Sequence, residues 1–427
     1  MAQRRNAALE RFLVTPLPTG EEEIWRYSRA ADLNLARFAP VVPPIGMVPG
    51  TPVLPTAALD LLDRVGARAG LVVTCNGVVA TTELDERESA AGVRLQAVST
   101  HPGGEEMLGH ASGSFPDEEV DAYAALADAF ATDAVAMSVP RSHEVTRPVV
   151  IVHVIGAAGG AGAGAGPAPA AFPRTVVRLD ENAEASVIEL LVSGDDSLLV
   201  LPTVELVAAD GARLTHDLVQ QLGRDAWQIG RLFATAGRDA TLKSFQASLG
   251  GSFARSRTDS ILTGQGGTAQ LLAAFFGDED QMHDFRTLQE HAAPRTTSDL
   301  VFKGAVAGTS RSVYSGLIRM RPGARGANAF QTNRNLVLSD GAHADSVPNL
   351  DIQENDVRCS HASAVGPVDE EQRFYVESRG VPRAVAERLI VLGFFRELLE
   401  RVTPAVGDFV VAAIAQRVSA VTDGSAS

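Results

Sequence analysis

Ala185–Ser193 (ASVIELLVS), Thr203–Ala208 (TVELVA), Ala212–Gln220 (ARLTHDLVQ) and Ala240–Leu249 (ATLKSFQASL) share one pattern of alternating polar and apolar residues. Turn signals separate such runs at Asp210-Gly211, Gly223, Gly237, Gly250-Gly251, Gly264–Gly267 and Gly277. The pattern fills the tract from 174 to 338 at a spacing of about a dozen residues, and GRDA occurs twice, at Gly223–Ala226 and Gly237–Ala240. No helix-length periodicity interrupts it. A period of two turns one face of each run to a core. Many short, evenly spaced strands mean a sandwich, a barrel or a β-solenoid. The lack of two-residue hairpin signals fits a solenoid, but the pattern leaves all three open.

Upstream, residues 4–14 read as a short helix that Pro16, Pro18 and Gly20 stop. EEEIWRYSRAADLNLARF (21–38) follows, and Trp25 and Tyr27 are expected to anchor it to the body. Residues 40–56 read as a Pro-rich connector, 57–65 and 118–131 as helices, and 71–74 as a buried strand ending at Cys75. Beside apolar neighbours, Cys75 is expected to be a small core hydrophobe. Gly156–Pro173 contains G-x-G spacings, but Pro167, Pro169 and Pro173 forbid the helix that a phosphate loop needs. It reads as a flexible loop.

Downstream, Pro382 opens a helix with Val385, Leu389, Leu392, Phe395 and Leu399 on one stripe. Pro404 and Gly407 are expected to break it before a second helix over 409–418, and DGSAS at the end to be disordered. The expected parts are therefore 1–132, a mixed α/β region; 133–378, the strand-rich core; and 379–427, a helical domain.

A chain of 427 residues with net charge −15 is long enough for a large core, and it repels nucleic acid and anionic lipid at long range. The short basic cluster Arg319–Arg325 reads as a solvated loop. Two cysteines, Cys75 and Cys359, build no disulfide framework, which fits a reducing compartment. No apolar run approaches the roughly 18 residues that span a bilayer. Arg4 and Arg5 resemble a twin-arginine export signal, but Glu10 and Arg11 interrupt its apolar region. The expected location is the cytoplasm.

Between the strand tract and the tail, Ser339–Gly380 gathers His343, His361, Cys359 and a run of carboxylates. Cys359 and His361 are soft ligands two residues apart, so on a strand both face one way. Together they could meet one metal centre, or they could simply be packed. If metal binds here, another chain or a soluble ligand must complete the shell, since C-x-H supplies two ligands at most. Asp340, Asp345, Asp351, Glu354 and Asp356 are expected to cap turns or face water. His216, His283 and His291 are scattered and expected to be structural.

ADSVPNLDIQENDVRCSHASAVG (344–366), DEEQRFYVESRGVP (369–382) and LIVLGFFRELLERV (389–402) resemble the SufB/SufD family, scaffolds of bacterial and plastid iron–sulfur cluster assembly. The resemblance implies a mainly β fold: a right-handed parallel β-helix core with an N-terminal α/β region and a C-terminal helical domain. It implies a heterodimer of a SufB-like and a SufD-like chain, with a nascent cluster or iron held transiently between a cysteine of the first and a histidine of the second. That histidine maps onto His361. SufB-type chains carry C-E-H-E-A where this one has C-S-H-A-S, which favours the SufD type. The C-terminal helices would dock a SufC ABC-type ATPase, and a cysteine desulfurase would supply sulfur indirectly. This chain has no Walker A motif, so ATP hydrolysis belongs to a partner. The implied role is a scaffold rather than an enzyme. Alternatives are a SufB-type subunit, a homodimer, or a polysaccharide-active β-helix, which aromatics at 5% of residues disfavour.

Overall fold

The computed structural model describes residues 2–41, 50, 52–99, 108, 121–156 and 166–424, with side chains to Val421. Most of the Pro-rich connector, the start of the 118–131 helix, positions 157–165 and the last three residues lie outside these.

From Val135 the chain winds into a parallel β-solenoid of about seven turns. Successive strands alternate between two sheets. The first runs, from its C-terminal end, through His343–Ile352, Arg311–Met320, Met282–His291, Phe253–Leu262, Ala226–Ala236, Thr203–Ala208, Arg174–Leu179, Val135–Val139 and Arg94–Ala97. The second runs through Arg358–Gly366, Asn328–Val337, Thr297–Val306, Thr268–Gly277, Thr241–Ser248, Arg213–Gln221, Glu184–Ser193, Val149–Ile155, Gly70–Cys75 and Val78–Leu84. Strands from the N-terminal region thus extend both sheets.

In-register stacking turns the alternating pattern into columns. Ala185, Leu214, Leu242, Ala269, Ser298, Ala329 and Cys359 stack in one inward column of the second sheet. Val187, His216, Ser244, Leu271, Leu300, Gln331 and His361 form the next. Apolar residues dominate the N-terminal rungs, where the two inner faces form one core of Val177, Leu206, Val187, Leu214 and Leu242. Rungs nearer the C-terminus become polar.

The corners repeat too. Asn182, Gly211, Asp239, Gly266, Arg295 and Gly326 all have positive φ, and each N–H donates to a carbonyl of the next coil. At Gly211 the stacking is so close that a Cβ would lie 2.3 Å from Asn182 Oδ1. Glycine, asparagine and aspartate tolerate this left-handed geometry, which is why turn signals recur once per coil. Arg295 adopts it without that advantage.

Within the first coils lies a buried polar network. His153 Nε2 is 2.8 Å from Glu189 Oε1, His216 Nε2 is 3.0 Å from Glu189 Oε2, and Thr175 donates to Oε1 at 3.0 Å. Thr74 Oγ1 meets His153 Nδ1 at 2.8 Å. Burial pushes the Glu189 carboxyl up, but the bonds from the two imidazoles outweigh it and hold the carboxyl well below its usual range.

The outer face of the second sheet is covered by helices. Phe395, Leu398 and Leu399 of Arg383–Leu399, Val406, Val410 and Ile414 of Pro404–Gly424, and Leu61 of Thr56–Val65 pack on Ile188, Leu190, Val219, Phe245 and Leu272. Lys303, 2% exposed, donates to Phe394 O at 2.9 Å and pairs with Glu397, while Arg401 pairs with Asp299. The tail is therefore bolted to the strand Thr297–Val306. An 18-residue stretch of its last helix, Pro404–Val421, is apolar and long enough to cross a membrane, but its buried residues belong to this core.

Several expectations need correction. The tail breaks between Leu399 and Pro404 as expected, but the second helix begins at Pro404 itself and not at 409, because proline suits a first helical turn, where its missing N–H leaves nothing unpaired. Gly407 lies inside that helix, where a Cβ would press on Leu399 O at 2.9 Å. Leu389 is 53% exposed, and the buried stripe is Ala386, Val391, Phe395, Leu398 and Leu399. Part of the proline-interrupted loop is ordered: Ala168–Ala171 pairs as a short strand with Phe38–Pro40 and Leu198–Val200. Trp25 anchors the N-terminal segment, since Arg255 stacks on its ring at 3.7 Å and donates to Ile24 O. Tyr27 does not, being 57% exposed.

His283 and His291 are fully buried, and burial first of all pulls both down to about 4 from 6.5. His291 is held by Thr296 and Ser298 at 2.7 and 2.8 Å. The unfolded chain therefore takes up protons near pH 6.5 that the folded chain refuses until about pH 4. Stability is present above that window and falls as pH drops through it, by on the order of a few kcal/mol. Below it, loss of the Glu189 carboxylate acts in the same direction. Urea midpoints measured from pH 7.5 to 4.5 check this; His291→Gln should flatten the slope.

Candidate functional site: the open terminal coil

His343–Ile352 and Arg358–Gly366 form the last coil. Each pairs with one strand on its inner side, Arg311–Met320 and Asn328–Val337 respectively, and ends its sheet. Two free strand edges therefore face outward with unpaired backbone donors and acceptors, a ready template for another chain. Apolar side chains are exposed at or beside them: Phe330 48%, Val347 37%, Leu350 39%, Ile352 48% and Val365 45%.

Cys359 and His361 face inward on the outermost strand, stacked over Ala329 and Gln331. Their environments differ. Cys359 is half-buried against Ile318, Met320, Ala324 and Ala329, and burial pushes its thiol up. It is therefore a protonated, packed thiol in the free chain. His361 is exposed at the rim. The same-face arrangement expected from the spacing is present, but one member is sheltered and the other open. Among the described residues no three His, Cys, Asp or Glu side chains are grouped to hold a metal ion. An iron ion at this rim would take further ligands from outside the chain.

The surrounding charges are structural. His343 Nε2 meets Asp345 at 3.1 Å, Arg319 bridges Glu290 and Asp351, and Arg325 pairs with Asp356. Glu354 accepts from the Gly323 N–H at 3.2 Å and from the Asn355 N–H at 2.9 Å. Asp340 sits in a turn. The cluster Arg319–Arg325 is engaged with neighbouring coils, not held open for phosphate. Cys75 is half-buried at its strand end, where burial raises its thiol.

Residues 161–394, more than half of the chain, match the family model described as SUF system FeS cluster assembly, SufBD core domain. The chain belongs to the SufBD family. An iron–sulfur cluster assembly SufBD family protein of Mycobacterium bovis is 36% identical over 347 residues, covering 77% of this chain and 83% of the relative. The iron–sulfur cluster assembly protein SufD of Escherichia coli is 27% identical over 394 residues, 92% of this chain and 87% of that one. The chloroplastic protein ABCI7 of Arabidopsis thaliana is 25% identical over 403 residues, with 93% and 82% covered. This SufBD protein is thus close to SufD, and the β-solenoid expected of the family is present. The family is an assembly component of the iron–sulfur cluster machinery. Sequence reasoning did not single out Gln331, the residue under His361. Its neighbour becomes known only when register is known.

Proposed function

We propose that this SufBD protein is the SufD-type half of a two-chain scaffold on which iron–sulfur clusters are assembled. Its terminal coil pairs with a SufB-like chain, and His361 meets the nascent cluster, which is cargo shared with that partner. Cys359 backs the imidazole and becomes a ligand only if the rim rearranges. The tail helices, bolted to the solenoid through Lys303 and Asp299, dock a SufC-type ATPase on their exposed side, where Leu389 is 53% exposed, and the helix Glu370–Glu377 just before them exposes Phe374 and Tyr375 as well. The division of labour follows the three parts drawn from the sequence: an N-terminal region that caps the solenoid, a core that presents the rim, and a helical tail that receives the motor. The protein would work in the cytoplasm and carry out no chemistry alone.

The observation that supports this reading best is an incomplete site at an incomplete edge. His361 lies on one of two strands whose outer edges are free, and the described residues bring no group of three metal-binding side chains together there. Such an edge is a hazard unless something covers it. The test is hydrogen exchange on the chain alone and after anaerobic co-expression with SufB-like and SufC-like chains from the same genome. Amides in 343–352 and 358–366 should slow by at least about tenfold in the complex, as strand edges acquire partners. A complex that forms while both segments exchange as in the free chain would contradict the pairing mode.

A further inference from the structure

Gln331 is 1% exposed, and its amide interacts with the Tyr314 hydroxyl, but neither Oε1 nor Nε2 completes a hydrogen bond of good geometry. A buried amide so incompletely satisfied destabilises the chain that carries it, and an apolar side chain of similar volume would fill the same space at less cost. The fold nevertheless makes room for it. The Tyr314 hydroxyl, 3.0 Å from Thr287 Oγ1, lies beside the Gln331 amide. Both fit because position 316 is glycine: a Cβ there would sit 2.3 Å from the Tyr314 hydroxyl and 2.4 Å from Gln331 Nε2. In its column Gln331 stands between Leu300, which offers no polar atom, and His361 on the next rung toward solvent. Adjacent rungs are roughly 4.8 Å apart, within reach of an amide and an imidazole that turn toward each other.

We propose that Gln331 is a positioning residue for His361. Its amide engages the ring nitrogen that faces the solenoid, selects the tautomer, and leaves the other nitrogen directed at the open rim. Histidines that meet a metal are commonly held this way through their second nitrogen. The inference builds on the reading of His361 given above, yet it concerns only whether two side chains of this chain meet.

The test uses the full-length chain with ¹⁵N-labelled histidine. The His361 signals are assigned by their loss in His361→Ala, and the imidazole is titrated in wild type, Gln331→Glu and Gln331→Leu. A carboxylate one rung away should raise the His361 pKa by about one unit or more. Gln331→Leu should change the ratio of the two neutral tautomers at least about twofold, while melting close to wild type, because it removes an incompletely satisfied buried amide and the Tyr314 hydroxyl keeps Thr287. If Gln331→Glu does not fold, the tautomer ratio in Gln331→Leu decides alone. Identical pKa and identical tautomer ratio in every variant that folds would overturn the proposal. That failure would leave a cluster-ligand role for His361 untouched, since the titration involves neither iron nor a partner.

Discussion

Glu189→Ala is expected to cost about 3–5 kcal/mol of folding stability, an exceptionally large loss for a single substitution. Glu189 is 2% exposed and accepts from His153, His216 and Thr175 at once. Removing the carboxylate leaves two imidazoles and a hydroxyl facing a core of valine and leucine, and each loses the partner that compensated for its burial. It also opens a cavity between rungs that in-register stacking prevents from collapsing. The network joins Gly70–Cys75, Val149–Ile155, Glu184–Ser193 and Arg213–Gln221, so the damage falls on the coils where the N-terminal strands enter the solenoid. Urea unfolding followed by far-ultraviolet circular dichroism checks this at pH 7.5. Replacing His153, Glu189 and His216 together with apolar residues of similar volume, and Thr74 and Thr175 with valine, should recover much of the loss, because the polar groups of the network are then removed together and none is left without its partner. A midpoint for Glu189→Ala indistinguishable from wild type would mean that the three side chains do not bond as described.

The strands were legible because period-two alternation reports which face is buried, and turn chemistry reports where each coil ends. Asn182, Gly211, Asp239 and Gly266 mark successive corners in the sequence as they do in space. What alternation does not report is which strand lies beside which. In a solenoid the neighbour is one full coil away, so the rung beneath His361 could not be read from RCSHASAVG, and Gln331 passed unnoticed. The choice of solenoid over sandwich or barrel likewise came from family resemblance, not from the pattern. Errors fell where one residue type has two uses. Proline both ends helices and begins them, and Pro404 does the second. A leucine at helical spacing can belong to the core stripe or to a second surface, and Leu389 belongs to the second. Trp25 and Tyr27 are both large aromatics in one segment, yet only the first finds a cation and a pocket. For the site, the spacing correctly put Cys359 and His361 on one face. It could not tell that Cys359 is sheltered by Ile318 and Met320 while His361 is open.

His361→Ala is expected to abolish most cluster assembly while leaving the protein and its complex intact. The residue is exposed and on an end strand, so truncation removes no core packing and stability should change by less than about 0.5 kcal/mol. Its loss would take from the proposed shared site an open imidazole that no carboxylate of this chain is seen to engage, unlike His343 with Asp345, and cluster content should fall by roughly tenfold or more, the scale on which metal sites respond to lost support. Cys359→Ser should have a smaller effect, since the thiol is held protonated and half-buried. Gly223→Ala, at a corner far from the rim, would not serve as a control, because its Cβ would fall 1.9 Å from Gly194 O. Arg213→Gln, on the surface of an early coil, is a suitable one. The decisive measurement is the iron and acid-labile sulfide content of the anaerobically isolated complex with its SufB-like and SufC-like partners, wild type against His361→Ala. The expected result is an intact complex of unchanged composition carrying a tenth or less of the wild-type iron and sulfide, to order of magnitude; an intact mutant complex loaded like the wild type would contradict the account.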